Sequence, residues 1–371
     1  MPKIAIVSEF LVAMGGAERV VLALHEAFPS APIYTAIYDS DRALPEFRSL
    51  DIRTTWLQKF PKKLRSMYKL LPVLQVKALR DLDLSEFDII ITSSYLNANH
   101  VRKTRPDQVL ISYCHTPARY YWSHYNEYKK QPGFGKLDPL IRLLIPLFVP
   151  HQRQLDYQAA QRVDVFIANS TEIQRRIKKY YGKPSTIIHP PIDVNRFEPA
   201  RTRGEYYMTM GRQLPYKRYD LIVAACTTLG IPLKVFGNGP AHDELTKLAG
   251  PTVEFYTDRF GDASDAELEK ALNHAKGFIY AAEEDFGIVQ VEALAAGAPV
   301  IAYGKAGTLD IVQDGESGIL FDEQTVEAII QAIQKAQSTT FLPATLRRKA
   351  KRFDKSLFIT KIRKVVHDYS P

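Results

Sequence analysis

The 371-residue sequence predicts an α/β protein made of two doubly wound parallel-sheet domains facing each other across a cleft. Three observations predict this. Short, near-continuous apolar runs alternate with amphipathic stretches along the whole chain, the pattern of parallel sheets covered by helices on both faces. A stiff segment, His189-Pro190-Pro191-Ile192-Asp193, interrupts the alternation near the middle. The glycine- and charge-bearing motifs fall just after strand-like runs, where open parallel sheets hold their ligands.

In the first half the strand-like runs are Ile4–Val7, Ile33–Ile37, Ile89–Thr92, Val109–Tyr113 and Val163–Ala168. In the second they are Tyr206–Met210, Leu233–Phe236, Val253–Tyr256, Phe278–Tyr280, Val300–Ala302 and Ile319–Phe321. Thr171 with Gln174 and Ser264 with Glu267 have capping-box spacing, which marks helix starts. Gly182 and Gly230 sit where helix ends favour a left-handed residue. Adjacent prolines join neither a helix nor a central strand, so 189–200 reads as the linker. It separates a domain 1–188 from a domain 201–352, followed by a terminal helical segment 353–371.

Composition bounds the function. An apolar fraction of 46% and a charged fraction of 24% fit a folded globular chain, not a disordered one. No leader pattern precedes the first strand and no apolar run reaches the roughly 18 residues of a spanning helix, so a cytoplasmic location is expected. Cys114 and Cys226 suggest neither a disulfide framework nor a metal cluster, and no metal is expected. The net charge of +8 favours acidic partners, among them phosphate-bearing substrates and anionic membrane. No nucleic-acid motif accompanies it.

The sharpest motif is Glu284-Asp285-Phe286-Gly287-Ile288-Val289-Gln290-Val291-Glu292, which follows a strand and opens a helix. Eight residues at ~1.5 Å rise span about 12 Å if all are helical, placing Glu292 two turns deeper than Glu284. That separation suits one ligand with a sugar at one end and a ribose at the other. Gly211-Arg212-Gln213-Leu214-Pro215-Tyr216-Lys217 likewise follows a strand and precedes a helix expected from Lys217. Glycine lets backbone approach a phosphate, Arg212 can fork onto two phosphate oxygens, and Lys217 adds a mobile charge. Met14-Gly15-Gly16-Ala17-Glu18 reads as a compact anion loop, since the G-x-G-x-x-G spacing is absent. Gly237-Asn238-Gly239 comes nearer that spacing, but His242 holds its third glycine position. His115 ends a strand in the run Ser112-Tyr113-Cys114-His115-Thr116-Pro117-Ala118-Arg119-Tyr120-Tyr121-Trp122, placed to hydrogen-bond a sugar hydroxyl. Asn169-Ser170 offers a helix cap.

Together these residues resemble the family-4 glycosyltransferases of the GT-B fold, which pair two Rossmann-like domains. The E-x7-E element, Gly15-Gly16, Arg212 with Lys217 and the proline connector stand in the family's order over nearly the whole chain. "EDFGI" from Glu284 and "SYCHTPARYYW" from Ser112 look like bacterial mannosyltransferases that use GDP-mannose in surface-polysaccharide assembly. The resemblance implies that Arg212 and Lys217 bind the diphosphate, Glu292 the ribose and Glu284 the sugar hydroxyls. It places Gly211, Asp285, Phe286, Gly287 and Ile288 around the nucleotide sugar, Gly15-Gly16 at the phosphate edge and His115 on the sugar. Asp285 departs from the glycine of many relatives, which bears on donor identity. The base is expected near Phe255 and Tyr256, where Thr257 to Asp262 is atypical, and the helix from about Phe353 is expected to cross back to the first domain.

The family implies retention of anomeric configuration, with His115, Glu284, Arg212 and Lys217 as the catalytic set. It requires no cofactor beyond the nucleotide-sugar co-substrate. The expected acceptor is a glycan or a polyprenyl-diphosphate-linked saccharide. From Ile52 to Arg80 there is no acidic residue, while lysines and arginines alternate with apolar residues and Pro72 splits the stretch. It either lies on an anionic inner leaflet or packs on the first domain. Three alternatives stand beside this reading: a UDP-sugar donor, a metal-dependent site at Asp39-Ser40-Asp41, and a nonenzymatic glycan- or nucleic-acid-binding role.

Overall fold

The computed structural model describes residues 2–67, 71–130, 135, 138–256 and 265–370. The chain divides into two compact units, Met1–Pro191 with Phe358–Pro371, and Ile192–Leu357.

The first unit holds seven strands, β1 (Ile4–Leu11), β2 (Ile33–Tyr38), β3 (Ile52–Thr54), β4 (Ile89–Ser94), β5 (Val109–Cys114), β6 (Val165–Ala168) and β7 (Thr186–Ile187). They form one parallel sheet in the order β3-β2-β1-β4-β5-β6-β7. Successive side chains of a strand point to opposite faces, and both faces are apolar here. Ile90, Leu110 and Cys114 join one buried cluster, while Ile89, Ile91, Ile111 and Tyr113 join the other. The sequence pattern misses β3 and β7 because both are short edge strands with little buried surface.

The second unit repeats the plan with β8 (Tyr207–Met210), β9 (Leu233–Phe236), β10 (Val253–Tyr256), β11 (Gly277–Tyr280), β12 (Val300–Tyr303) and β13 (Gly318–Phe321). Their order is β10-β9-β8-β11-β12-β13, again all parallel. Met208, Phe236, Phe278 and Val300 fill one side, and Tyr207, Val235, Ile279 and Ile301 the other. In each unit the chain starts at the middle of the sheet, winds to one edge, then returns and winds to the other. The reversal falls between β1 and β4 in the first unit and between β8 and β11 in the second. Open α/β sheets hold ligands at that point, beyond the carboxyl ends of the strands.

Several sequence expectations shift. Of the two cap readings, Asn169-Ser170 holds and Thr171 does not: Ser170 caps the helix Thr171–Tyr181, its extended backbone letting its Oγ accept from the Ile173 N–H at 3.2 Å. Gln174 instead donates to the Ser185 carbonyl at 2.7 Å. Gly182 and Gly230 close their helices in the left-handed conformation, at φ 71° and 63°. The stretch 189–200 is divided, because Ile192, Val194 and Phe197 are buried in the second unit's core. Ser264 and the loop Thr257 to Asp262 lie outside the described residues.

The basic stretch is also split. Leu57, Val76, Ala78 and Leu79 pack into the first unit, whereas Leu64, Met67 and Val73 are exposed. Tyr68, Lys69 and Leu70 lie outside the described residues. Among the described residues no helix is long and apolar enough to cross a membrane.

The last helix, Lys355–Asp368, begins two residues later than expected, since Phe353 packs on Phe286 in the second unit's core. Phe358, Ile362 and Val366 recur every fourth residue, which puts them on one helix face. All three are buried in the first unit, and Phe358 meets the Tyr113 ring edge-on at 5.6 Å. Phe358→Ala should therefore cost about 3–5 kcal/mol. Both tryptophans, Trp56 and Trp122, belong to the first unit, so the tryptophan-fluorescence denaturation midpoint should fall. A midpoint equal to wild type would show that this helix does not brace the unit.

Candidate functional site

The second unit brings its two motifs together through topology. β8 and β11 are hydrogen-bonded neighbours, with Tyr207 beside Gly277 and Met208 beside Phe278. The loops that follow them therefore leave the sheet side by side, although they are far apart in sequence. Lys217 on the first loop meets Glu284 on the second, Nζ to Oε1 at 2.9 Å, with side chains only 15% and 18% exposed. Tyr216 adds its hydroxyl to the same Glu284 oxygen at 3.4 Å.

Local backbone makes this contact possible. Gly211 ends β8 at φ 131°, and a Cβ there would lie 2.9 Å from the Tyr219 hydroxyl and 3.5 Å from Lys217 Nζ. Any side chain would be strained and would also crowd the ammonium. A short 3-10 turn, Pro215–Lys217, follows, so the helix starts at Tyr219 rather than Lys217. The Gly237-Asn238-Gly239 segment braces the loop instead of forming a ligand loop of its own. Gly211 N–H donates to the Phe236 carbonyl at 3.0 Å, and Gln213 donates to Asn238 and Gly237 carbonyls at 2.9 and 2.7 Å.

The Glu284 loop has a similar brace, which the sequence reading missed. Gly307, after β12, sits against the backbone of Asp285 and Phe286; a Cβ there would lie 2.3 Å from Phe286 Cα. Its N–H donates to the Glu284 carbonyl at 3.0 Å. The available signal was Gly304-Lys305-Ala306-Gly307 following a strand.

The electrostatics follow from burial. Burial alone would lower the Lys217 pKa, but the Glu284 carboxylate reverses this and holds the ammonium above the usual lysine range. Burial first, and then the Glu284 charge, keep the Tyr280 phenol well above its ordinary range. At neutral pH the site thus holds one paired cation among neutral phenols. An ammonium has three donors, so Lys217 can keep Glu284 and still reach an incoming anion. Arg212 is exposed, and among the described residues no side-chain hydrogen bond or ion pair is seen for it.

Other expected residues fall nearby with changed roles. The helix after the loop runs only from Ile288 to Ala295, so Glu292 lies in its second turn, not two turns deeper than Glu284. Gly287 takes the helix's N-cap position in the left-handed conformation, at φ 94°. Asp285 is buried, and Phe286 points into the core against Phe353, so its ring is not offered to a ligand. Ile288 and Glu292 are part-exposed.

In the first unit, β1 and β4 are the corresponding neighbours, and carboxylates dominate there. Glu9 on β1 is fully buried. Its Oε1 accepts from Ser94 Oγ at 3.0 Å and from the N–H groups of Tyr95, Leu96, Asn97 and Ala98 at 2.9–3.0 Å. Sequence reasoning missed it, because its partners lie at least 85 positions away. At the Gly15-Gly16 turn, Glu18 reaches back to accept the Gly15 N–H at 3.1 Å, as the N3 residue of the helix that starts at Gly16. Burial pushes its carboxyl up to about 7, against the pull of its backbone hydrogen bonds. His115 follows β5 and meets Ser93 Oγ through Nε2 at 2.8 Å. Burial lowers its pKa to about 4, so it is a neutral imidazole at physiological pH. Asp39 and Asp41 follow β2, where Asp39 accepts the Asp41 N–H at 3.2 Å. Among the described residues no group of three or more His, Cys, Asp or Glu is arranged to hold a metal ion.

With this geometry in hand, comparison with known proteins gives two family matches that together run from residue 14 to 353. Residues 14–196 match "Glycosyltransferase Family 4" and residues 192–353 match "Glycosyl transferases group 1". A curated relative is the GDP-mannose-dependent alpha-(1-6)-phosphatidylinositol monomannoside mannosyltransferase of Mycobacterium tuberculosis, 27% identical over 216 residues. That match covers 50% of this chain and 55% of the relative. Another is the D-inositol 3-phosphate glycosyltransferase of Salinispora arenicola, 28% identical over 234 residues, covering 53% and 52%. The chain thus spans about half the length of the curated relatives it matches. Among solved structures, Anabaena Alr3699/HepE in complex with UDP and glucose has a TM-score of 0.72 at 17% identity, covering 99% of this chain and 100% of that one. The sucrose-phosphate synthase of Thermosynechococcus elongatus has 0.74 at 17%, covering 99% of each. These likenesses show the fold, two parallel-sheet α/β domains of the GT-B class. The family matches and the fold agree, and the chain belongs to the family-4-type glycosyltransferases.

Proposed function

We propose that this protein transfers mannose from GDP-mannose, with retention of anomeric configuration, to a glycan or a polyprenyl-diphosphate-linked saccharide. The observation that carries the reading is the Lys217–Glu284 pair beside an uncommitted Arg212 at the second unit's strand reversal. A diphosphate needs cations that are already in place, and a departing one needs them more. Arg212 and Lys217 would hold it, Glu284 would orient the sugar hydroxyls, and Glu292 would take the ribose. Gly211, Gly287 and Ile288 would line the donor with backbone, and Asp285 would bear on which sugar is accepted. His115 and Gly15-Gly16 are proposed as the first unit's contributions, His115 through a sugar hydroxyl. In the transfer, the acceptor oxygen bonds to the anomeric carbon as the bond to the phosphate oxygen breaks. That phosphate oxygen takes the acceptor proton on the same face. The mannose donor is supported by the mycobacterial relative, whose name states GDP-mannose dependence.

A thermal-shift screen of GDP-, UDP- and ADP-sugars tests the donor, since a ligand held at about 100 times its Kd stabilises the folded state by about 2.7 kcal/mol. GDP-mannose should give the largest rise, and Arg212→Ala should lower its turnover about 10²–10³-fold. A larger rise with a UDP-sugar would reassign the donor, and wild-type turnover in Arg212→Ala would remove the leaving-group role.

A peripheral position on an anionic inner membrane leaflet is the second part of the proposal. Leu140, Leu143, Leu144 and Leu147 are exposed by 47–77% on one face of the helix Asp138–Gln161. In the same unit Leu64 and Met67 are exposed beside Lys62, Lys63 and Arg65. Such basic, apolar surfaces suit anionic bilayers. Co-sedimentation with phosphatidylglycerol vesicles should be lost in Leu143→Glu/Leu147→Glu, and retention would end the membrane reading.

A further inference from the structure

The first unit carries a cationic pocket at the end of its strands opposite His115. The segment 102–106 precedes β5 and Arg162 precedes β6, whereas His115 follows β5; in a parallel sheet these are opposite ends of the strands. An open pocket of about 670 Å³ is lined there by Arg80, Arg102, Lys103, Arg105 and Arg162. The five cations come from three separate chain segments, so no local charge run accounts for them.

Two of the five are neutralised. Lys103 reaches both oxygens of Asp164 at 2.9 Å, and Arg105 reaches Asp88 at 3.0 Å and Asp107 at 3.5 Å. Asp81 faces Arg102 but is already taken by Lys77 at 2.9 Å and the Trp56 indole at 3.1 Å. Among the described residues, Arg80, Arg102 and Arg162 form no ion pair. The Arg162 guanidinium donates once, to the Gln158 carbonyl at 3.4 Å, while its Nε and Nη2 are buried without a hydrogen-bond partner. His100 Nδ1 is buried and unpartnered as well. Burial, then Arg80 and Arg162, bring the His100 pKa down to about 3, so it adds no charge at neutral pH. Burial and the charges of Arg80 and Arg102 likewise hold the Arg162 pKa below its usual value.

Buried N–H donors in native proteins almost always find acceptors. Water can supply acceptors here, but it cannot balance three converging positive charges. A guanidinium presents a planar fork that fits two oxygens of one phosphate, and a multiply charged phosphate answers both deficits at once. We infer that this pocket binds a multiply charged phosphate group, a diphosphate or a phosphate monoester. The inference is independent of the donor site, whose cations belong to the other unit.

Inorganic pyrophosphate serves as the probe, titrated calorimetrically into the full chain carrying Arg212→Ala so that donor-site binding is suppressed. Arg102 is exposed and unpaired, so Arg102→Gln should fold normally, and its melting temperature checks this. Pyrophosphate affinity should fall at least about tenfold, equivalent to ~1.4 kcal/mol, in Arg102→Gln and in Arg162→Gln. Arg102→Lys should retain most of it. Vesicles containing phosphatidic acid, whose headgroup is a phosphate monoester, form the second arm. Weakened pyrophosphate binding with unchanged vesicle binding identifies a free phosphorylated molecule, and weakening of both identifies a lipid headgroup. Pyrophosphate binding that is absent, or unchanged by Arg102→Gln, overturns the inference whatever the vesicles do.

Discussion

The ion pair between Lys217 and Glu284 is the contact on which the second unit's site depends. Each partner is mostly buried, and a buried charge without its partner is strongly unfavourable. The two loops that carry them are therefore held in register by more than backbone packing. The pair exists because β8 and β11 are neighbours in a sheet whose order reverses between them. Glycines at 211 and 307 let the loops approach, and the segments after β9 and β12 brace them from behind. A preformed, charge-balanced pair lets the site exist without ligand, and the ammonium's remaining donors leave it ready for an anion.

The first unit solves the same topological position in the opposite sense. Its strand reversal holds two buried carboxylates, Glu9 in a cradle of backbone N–H groups and Glu18 at a helix N-terminus. Each acid accepts backbone N–H groups of its own unit. His115, after β5, is neutral through burial and fixed by Ser93. A neutral imidazole exchanges hydrogen bonds with hydroxyls without adding charge, which suits a sugar better than a phosphate. The units share one fold plan but differ in electrostatic character.

Much of the fold was legible in the sequence, since central strands buried on both faces read as apolar runs. β3 and β7 were not legible because edge strands need no such run. The helix caps were legible to within one residue, the difference between Thr171 and Ser170 being set by which one adopts extended backbone. For the site, the acidic and basic motifs stood out by their position after strands. Their pairing did not, because it depends on strand order and not on spacing. Glu9, Gly307 and the arginine pocket escaped for the same reason: each acquires meaning from residues far away in the chain. Phe286 misled because a motif position does not say whether a side chain turns inward.

The most direct test of the central claim is a double-mutant cycle on GDP affinity, using Lys217→Ala, Glu284→Ala and the pair. If the ammonium shared by Glu284 receives the diphosphate, Lys217→Ala weakens GDP binding strongly. Glu284→Ala then damages transfer more than GDP binding, and the effects of the two substitutions on GDP affinity couple by more than ~1 kcal/mol. Additive effects within about 0.5 kcal/mol, with GDP binding untouched by Lys217→Ala, would contradict the account.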